Sequence, residues 1–263
     1  MESTGDAHKL HYLFSNILGL PEAWPQTDKK FYYGGGVYAG NTWLKWITLN
    51  TKNHQMTDKP ATIMQFGLEP NGYERCLKIL EKRKIPYKEM DPQTTADPQG
   101  QEQEWLRNAW PSETPFKEIY LFMAKYTPYA FSTLTTTPEA KDIDEHRRIM
   151  EKRFKEVNGG VLGVRYIKEI ELGVKDLKKD AREWQKVLDP IKPKGDSWKI
   201  GKGPALRLTS DKNYSLKSIS FKVKSLRVAR KVLKTYGLLG DEGESVIRLD
   251  VGKVNGLDIR FVK

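Results

Sequence analysis

The chain has 263 residues, a formal net charge of +11, 38% hydrophobic residues and 30% charged residues. These values suit a globular protein with a modest core, and the chain lacks the ~18 consecutive apolar residues that a membrane-spanning helix needs. The first residues contain no basic segment followed by an apolar one, so we expect no secretory signal. The single cysteine, Cys76, excludes an intramolecular disulfide and favours a cytoplasmic location.

The positive charge is dispersed along the chain instead of forming one basic stripe. Lysines and arginines are interspersed with 34 acidic residues, as in residues 81–84 and 175–183. Such runs are typical of solvated helix faces. The sequence therefore predicts no nucleic-acid partner and no membrane partner. Nucleic-acid binding through net charge stays a weaker alternative, which salt-sensitive retention on heparin or DNA would favour.

The first half of the chain predicts alternating helices and strands. Apolar residues at helical spacing indicate a helix over residues 9–18, ended by Gly19. A second helix is predicted over residues 71–84, with Cys76 as a small core residue on its apolar face. The polar, proline-bearing segment 91–105 indicates a surface excursion. Strands are predicted at residues 36–49 with a turn at Gly40–Asn41, at 61–67 and at 117–126.

The second half repeats one order of elements. Residues 127–163 are irregular except for a charged helix over 144–157. We therefore predict domains at residues 1–130 and 164–263, joined by a linker at residues 131–163. After the linker, the order strand, helix, strand, strand occurs twice. The predicted strands are 167–174, 197–200, 204–209, 216–223, 246–251 and 257–262, and the predicted helices are 175–188 and 225–236.

Three consecutive glycines, Gly34 to Gly36, precede a predicted strand. A phosphate-binding loop places its glycines between a strand and the N-terminus of a helix, where free backbone N–H groups face the anion. No predicted helix starts after these glycines. We therefore expect them to let a strand pass close to other backbone instead of holding phosphate.

Several segments resemble the vicinal oxygen chelate superfamily, the fold of glyoxalases, bleomycin-resistance proteins and ring-cleaving dioxygenases. The segment IKEIELGVKDLKKDAREWQKVL (167–188) resembles the opening strand, turn and first helix of its βαβββ module. ISFKVKSLRVARKVLKTYGLL (219–239) resembles the paired module, and LFSNILGLPEAWP (13–25) is similar to a module's first helix. GPALRL (203–208) and GNTWLKW (40–46) are similar to closing strands. The resemblance implies two tandem glyoxalase-like domains of α+β class, built from paired βαβββ modules whose curled mixed sheets carry helices outside and hold ligands in a cup.

In one respect the sequence departs from this pattern. The first module's opening strand would precede the helix at residues 9–18, but residues 1–8 are few and polar. We therefore expect the first module to lack its opening strand. An exposed sheet edge would remain, and such an edge favours a homodimer through strand pairing.

Metal-dependent members of the superfamily hold one divalent ion in each cup, and the resemblance implies where the ligands would lie. The opening-strand positions fall at Glu169 and Ser218 in the second half and near Thr62 in the first half. Cations do not coordinate a cation, so the closing-strand positions predict that no catalytic metal is bound. Those closing-strand positions are Lys45, Lys125, Arg207 and Arg260.

The four histidines offer no replacement ligand set. His8, His11, His54 and His146 all lie outside the predicted strands. His8 and His11 are three residues apart on the first helix, and a surface pair is favoured over a metal site because no carboxylate is near. No nucleophile motif and no pair of acid/base carboxylates stands out, so the catalytic residues stay unknown.

Replacing metal ligands by basic residues turns a cation site into an anion site. Arg207 and Arg260, with Glu169 to balance their charge, predict a cup that binds a carboxylate or phosphate group. Strand alternation favours this, because Glu169 and Arg260 lie opposite the apolar face that helices must cover. An alternative of equal weight is an ion network with a structural role. Trp43, Trp46 and Trp198 lie on or beside strands and are predicted to form flat apolar walls.

The leading functional hypothesis is a protein without metal or other cofactor that binds a small, anionic organic molecule in its cup. The resemblance to drug-sequestering members of the superfamily implies this activity. The alternative is a metal-dependent lyase, isomerase or dioxygenase whose ligands lie a residue or two from the positions above. Such enzymes polarise a chelated substrate through the ion.

Overall fold

A computed structural model describes residues 2–4, 6–29, 32–49 and 63–263 of the chain. The predicted ligand position near Thr62 and the predicted placement of His54 lie outside these residues. Among the described helices, none is both long enough and apolar enough to cross a bilayer.

The first half of the chain forms a mixed sheet of nine strands within the described residues. The order across the sheet is β2-β3-β4-β1-β5-β9-β8-β6, and β7 pairs with β8. The strands are β1 (Glu2–Thr4), β2 (Glu22–Lys29), β3 (Tyr32–Tyr38), β4 (Trp43–Leu49), β5 (Ile63–Leu68), β6 (Tyr87–Glu89), β7 (Gln93–Ala96), β8 (Glu102–Pro111) and β9 (Leu121–Tyr126).

The second half forms a mixed sheet of seven strands in the order β11-β12-β10-β13-β16-β15-β14. These strands are β10 (Val164–Val174), β11 (Ser197–Lys199), β12 (Ala205–Ser210), β13 (Ser215–Val223), β14 (Leu239–Glu242), β15 (Val246–Leu249) and β16 (Ile259–Val262).

Several of the helices begin at side-chain caps that the sequence supplies. The Asp142, Asp176 and Ser225 side chains each accept a hydrogen bond from the backbone N–H three residues later. The helices are α1 (Ala7–Tyr12), which continues as a π-helical turn over Leu13–Ile17, α2 (Tyr73–Lys82), α3 (Pro128–Leu134), α4 (Ile143–Glu156), α5 (Leu177–Leu188) and α6 (Leu226–Thr235).

The two sheets are built by the same pairing rule, and this corrects one prediction. β10 runs parallel to β12 and antiparallel to β13. In the first sheet β1 likewise runs parallel to β4 and antiparallel to β5. The prediction that the first module lacks its opening strand is therefore wrong. Three polar residues suffice for β1, because strands on both sides supply its backbone partners. Since β1 lies inside the sheet, it offers no exposed edge for the predicted homodimer, which stays a prediction without that support.

One more segment of the first half differs from the sequence predictions. Residues 91–105, predicted as a surface excursion, contain β7 and the start of β8. The Asp97 side chain accepts hydrogen bonds from the backbone of Gln99 and Gln101, which closes the turn between these strands. The segment looks irregular in sequence because β7 is largely exposed to solvent, so apolar residues do not mark its face.

The glycines at 34–36 lie inside β3, as a close approach between strands requires. A Cβ atom on Gly36 would lie 2.6 Å from the Leu44 carbonyl oxygen, and one on Gly35 would lie 2.7 Å from the His11 ring. The prediction that these glycines serve packing is confirmed.

Two polar anchors join the halves of the chain. The Asn41 side chain donates to the Ile167 carbonyl and accepts from the Ile167 N–H, both at 3.0 Å. The Arg83 guanidinium donates to the Asp189 carbonyl at 2.8 Å, at the C-terminus of α5. These contacts hold the second half beside the open end of the first sheet, where the cavity described below lies.

Candidate ligand-binding site

A cavity of about 1230 Å³ extends from the open face of the first sheet to a cleft that faces the second half. We call the part over the sheet the first cup. Small-molecule pockets usually measure roughly 300–1,000 Å³, so this volume has room for an organic ligand together with water. Strand alternation decides which side chains reach the first cup.

On β4, alternation separates cup residues from core residues. Trp43, Lys45 and Ile47 line the cavity. Trp46 points to the opposite face, is 3% exposed and stacks on Phe14 with ring centroids 4.8 Å apart. The predicted cup role of Trp43 and Lys45 agrees with this placement. The prediction that Trp46 forms a cup wall is wrong, because its side of the strand is the one that helix α1 covers.

Strands β8 and β9 supply the other side of the floor. Asn108, Phe122, Ala124 and Tyr126 line the cavity, and Asn108 pairs with Ala124 across the two strands. The buried Asn108 side chain accepts a hydrogen bond from Trp110 Nε1 at 2.6 Å. Its carbonyl oxygen is thereby held in one orientation at the floor of the first cup.

Aromatic rings form one wall of the first cup. Trp24 of β2 and Trp105 of β8 both lie against Tyr126, with ring centroids 5.8 and 6.5 Å apart. The Lys45 ammonium group lies 5.5 Å from the centroid of the Trp24 ring, within the range of a cation–π contact. This wall thus combines flat apolar faces with a positive charge.

The segment predicted as a linker forms the opposite wall. The His146 ring of α4 stacks between Phe131 of α3 and Trp43, with centroid distances of 5.1 and 5.4 Å. The loop between the helices is tied to β2, because Thr136 donates hydrogen bonds to the carbonyls of Ala23 and Glu22. Residues 131–163 therefore help to enclose the first cup, although the predicted domain boundaries themselves stay predictions.

A charged group lies beside this wall. Arg147 donates to Glu69 at 3.0 Å and to Asp144 at 2.8 Å, and its guanidinium lies 5.7 Å from the Trp43 ring centroid. Burial raises the pKa of Glu69 to about 7, although Arg147 acts in the opposite direction. Glu69 consequently titrates near neutral pH at the edge of the cavity.

His146 is the residue of this site that the sequence did not single out. It is 1% exposed, and burial lowers its pKa to about 4, helped by Arg147 and Arg153. The imidazole is therefore neutral at physiological pH. Its Nδ1 lies 2.5 Å from Thr137 Oγ1, and its Nε2 has no hydrogen-bond partner among the described atoms.

His8 and His11, predicted as a surface pair, are not both at the surface. His8 is exposed, but His11 is buried, with its Nε2 3.1 Å from a Glu22 carboxylate oxygen. Burial and the neighbouring His8 lower the pKa of His11 to about 4. The prediction fails because the helix turns His11 toward β3, against the strand that carries the glycines.

The two remaining predicted cup residues differ in placement. Lys125 is among the residues that line the cavity, and its ammonium group pairs with Glu74 at 2.5 Å. The predicted cup role of Lys125 agrees with this placement. Trp198 is 1% exposed, and its Nε1 donates to Gln185 of α5 at 3.1 Å. The prediction that Trp198 lines a cup is wrong, because its side chain is buried against α5.

Ion pairs cross the open face of the second sheet, which we call the second cup. Arg207 pairs with Glu169 at 2.9 Å, and this hydrogen bond raises the pKa of Arg207. Arg260 pairs with Asp258 at 2.6 Å and with Glu171 at 3.3 Å. The predicted residues Glu169, Arg207 and Arg260 do lie on this face. Asp258 and Glu171, which were not among the predicted site residues, are the carboxylates that balance Arg260.

The second cup does not fit a divalent metal ion. Glu171 Oε2 accepts hydrogen bonds from Ser218 Oγ at 2.9 Å and from Arg260 Nη1 at 3.3 Å. A guanidinium beside this carboxylate occupies its lone pairs and repels a cation. Among the side chains that the structure describes, no three His, Cys, Asp or Glu residues form a group able to hold a metal.

Comparison with solved structures finds the same architecture over nearly the whole chain. A hypothetical protein from Staphylococcus aureus aligns with 99% of this chain and 96% of its own, at 10% sequence identity and a TM-score of 0.57. Homoprotocatechuate 2,3-dioxygenase from Arthrobacter globiformis aligns with 100% of this chain and 77% of its own, at 8% identity and a TM-score of 0.59. The Mn(II)-bound glyoxalase from Novosphingobium aromaticivorans covers 99% of this chain and 79% of its own, at 10% identity and a TM-score of 0.55.

No protein-family model and no curated protein matches the sequence. The structural similarities define the class of fold. The chain is an α+β protein whose two curled mixed sheets carry helices on their outer faces. This is the fold of the vicinal oxygen chelate superfamily, as the sequence predicts. Identities of 8–10% show the fold alone and leave the activity to be argued from the site.

Proposed function

We propose that the first cup binds a small organic molecule that carries a flat ring and an anionic group. The observation behind this proposal is the cavity itself, enclosed by ring faces on both sides. Trp24 and Tyr126 stand on one side, and Trp43 stands on the other. Ring faces at a cavity surface favour a planar ligand, because stacking adds to the area that the ligand buries.

The anionic preference rests on Lys45. Its ammonium group lies at the floor of the first cup, next to the Trp24 ring. A ring that stacks on Trp24 would bring a carboxylate or phosphate substituent close to this charge, and a charge-assisted hydrogen bond is about twice as strong as a neutral one. Arg147 adds a second positive charge at the edge of the same cavity, where it pairs with Glu69 and Asp144.

In this proposal the ion pairs of the second cup have a structural role. Every arginine of the second cup already has a carboxylate partner within 3.4 Å. These arginines are Arg207, Arg248 and Arg260. An incoming anion would have to displace that partner. The loss of the existing ion pair would then offset the free energy gained by binding the anion. The sequence predicts an anion site at Arg207 and Arg260. In this proposal the anion binds in the first cup instead.

The experiment is a binding screen of aromatic carboxylates and aromatic phosphates against the full chain. Thermal shift and intrinsic tryptophan fluorescence report binding, since three of the cavity residues are tryptophans. We expect aromatic acids to raise the melting temperature, while aliphatic acids of equal charge do so less. Binding must be lost in Lys45→Met and kept in Arg207→Gln, the matched change in the second cup. Loss in both variants, or in neither, would contradict the assignment to the first cup.

The alternative is a metal-dependent enzyme of the same fold, and the similarity to the Mn(II)-bound glyoxalase favours it. Metal analysis of the purified chain separates the two proposals. A stoichiometric divalent ion, or a melting temperature that rises with Mn²⁺, Ni²⁺, Fe²⁺ or Zn²⁺, would support the enzyme. No uptake and no shift would support a cup that binds its ligand without metal.

A further inference from the structure

The cavity does not end at the rings of the first cup but continues into the cleft that faces the second half of the chain. The whole volume of about 1230 Å³ exceeds the roughly 300–1,000 Å³ of an ordinary small-molecule pocket. An aromatic acid that stacks on Trp24 or Trp43 therefore fills only one end of the cavity. The cleft at the other end has room for a further part of the same ligand.

Helix α2 forms one side of this cleft. Cys76, Ile79 and Arg83 follow one another at helical spacing, so they lie on one face of the helix. Arg83 donates hydrogen bonds to the carbonyls of Lys186 and Val187, at 3.0 and 3.2 Å, near the C-terminus of α5. This anchor turns the same face of α2 toward the second half. Cys76 and Ile79 accordingly line the cavity.

The second half supplies the other side of the cleft. Val187 lies in the last turn of α5, and Ile191 lies in the loop that leaves this helix. Ile200 lies in the turn between β11 and β12, where its carbonyl accepts a hydrogen bond from the Gly203 N–H at 2.9 Å. All three apolar residues line the cavity and are half-buried. Aliphatic side chains thus face the cleft from both halves, whereas aromatic rings line the first cup.

Three charged residues also line this part of the cavity. Glu74, Asp189 and Lys202 are exposed, so they are well solvated already. Glu74 pairs with Lys125, and Asp189 pairs with Arg83. Water gains little at the aliphatic surface between these charges, and removal of such surface from water is the main favourable contribution to apolar binding. The cleft therefore suits an apolar group better than a polar one.

We infer that the ligand of the first cup carries an aliphatic chain, which lies in the cleft lined by Ile79 and Ile200. This inference rests on the proposed function and narrows its ligand class to aromatic acids with an apolar tail. Ring and chain meet different surfaces, because a flat ring stacks on tryptophan faces and methylene groups make dispersion contacts with aliphatic side chains.

Alkylbenzoates with an ethyl, butyl or octyl chain at the meta or para position test this inference by titration calorimetry on the full chain. We expect affinity in at least one series to rise by up to about fourfold per added methylene group, the gain from burying one such group. Ile79→Gln should lower the affinity for the octyl compound about tenfold and change that for benzoate less than about twofold. Val228→Gln is the matched control and should change neither, because Val228 is an exposed aliphatic residue of α6 outside the cavity.

The single cysteine gives a second readout, which reports where the chain lies. Cys76 lines the cleft, and mass spectrometry follows its alkylation by N-ethylmaleimide. The octyl compound at saturation should slow this reaction several-fold, because its chain covers the thiol, and benzoate at saturation should not. A Cys76 thiol that does not react in the free protein would show that the cleft is closed to small molecules, which would overturn the inference.

The outcomes separate this inference from the proposed function. Circular dichroism shows whether Ile79→Gln is folded, and Ile200→Gln provides the same test from the other side of the cleft if it is not. Affinity that does not rise with chain length in either series, or an octyl compound that binds the folded variant as tightly as the wild-type chain, would overturn the inference and leave the proposed function intact. If octanoate binds as tightly as the octyl compound, the ring site in the first cup fails while the chain site stands. If no aromatic acid binds, with or without a chain, both fail.

Discussion

The two sheets follow one topology but present different chemistry on their open faces. In the first cup, the rings of Trp24, Trp43 and Tyr126 surround a cavity with a neutral imidazole in its wall. In the second cup, ion pairs run across neighbouring strands, as between Glu171 of β10 and Arg260 of β16. The same pairing of modules therefore supports two kinds of surface.

The difference shows why the connecting helices lie where they do. A concave face of tryptophans exposed to water would be a large apolar patch, and such patches are rare on proteins unless they bind something. Helices α3 and α4 lie against that face and form one wall of the cavity. Paired charges are well solvated and need no such cover, so the second cup can stay open.

The largest effect is expected from converting the second cup into a metal site. Ser218→His with Arg260→Glu would place an imidazole and a carboxylate beside Glu171, a ligand set that suits Mn²⁺, Fe²⁺ or Zn²⁺. We expect the double variant to bind one Zn²⁺ or Mn²⁺ and to melt at a temperature that rises with metal concentration. Titration calorimetry after dialysis against a chelator measures this uptake.

The control for this conversion is Ser218→Ala with Arg260→Met, which removes the same contacts without supplying ligands. This control should take up no metal. A folded double variant that also takes up none would show that Arg260 is not what makes the second cup unfit for a metal.

The second prediction concerns pH and the neutral imidazole of the first cup. The folded-state pKa of His146 is about 4, below the value of 6.5 in an unfolded chain. The unfolded state therefore binds more protons between these values, and stability falls as pH falls from about 6.5 to 4. The shift corresponds to at most about 3 kcal/mol.

Other groups titrate in the same window, so the measurement must be a difference. The raised pKa of Glu69 acts in the opposite direction, because its protonated form is favoured in the folded state, whereas His11 acts in the same direction as His146. Urea denaturation at several pH values should show that His146→Phe loses less stability on acidification than the wild-type protein. Parallel pH profiles for the two proteins would contradict a buried neutral His146.

Strand alternation and helical periodicity predicted much of the second sheet from the sequence. The predicted strand at 216–223 nearly coincides with β13, and the predicted helix at 175–188 nearly coincides with α5. These patterns are local: an apolar stripe marks the buried side of a helix, and a period of two marks the buried face of a strand. For the same reason Glu169 and Arg260 were placed on the open face correctly.

Pairing across strands could not be predicted in the same way. The resemblance implies Glu169 and Ser218 as matching positions of the two opening strands, but in the sheet Ser218 lies opposite Glu171. The register between β10 and β13 shifts between Ile167 and Glu169 and again between Glu171 and Leu172. Such irregularities depend on the whole sheet, and a fixed offset along one strand does not contain them.

The wall of the first cup was missed for a related reason. Its contacts join α3 and α4 to distant strands, and the segment itself is irregular and charged. One local signal was present, because the buried residues His146, Met150 and Phe154 recur every four residues along α4. A histidine within an apolar helical stripe indicates a buried imidazole, and a buried imidazole needs partners of its own.

The third prediction compares matched changes in the two cups. Trp43→Ala removes a ring that stacks on His146 and faces the ligand, so affinity for para-hydroxybenzoate should fall about 30-fold, or about 2 kcal/mol. Arg207→Gln in the second cup should change affinity by less than about twofold. Titration calorimetry on both variants measures the contrast. Equal losses in the two variants would mean that the ligand does not lie where the rings are.

The smallest effect is expected from the ion pairs of the second cup. Arg260→Met leaves the carboxylates of Glu171 and Asp258 without their main partner, but these groups are partly exposed, with 18% and 25% of their side-chain surface accessible. Solvent therefore screens much of the loss, and we expect the free energy of unfolding to fall by about 1 kcal/mol. Urea denaturation measures it.

A double-mutant cycle measures the coupling energy between Glu171 and Arg260. Glu171→Gln alone leaves Arg260 with Asp258 as its partner, so its cost should be the smaller of the two single changes. Glu171→Gln combined with Arg260→Met should cost less than the sum of the single changes, because each change removes the partner of the other. Additive costs would show that the pair contributes no coupling energy, and the charges of the second cup would then be a solvated surface instead of a network.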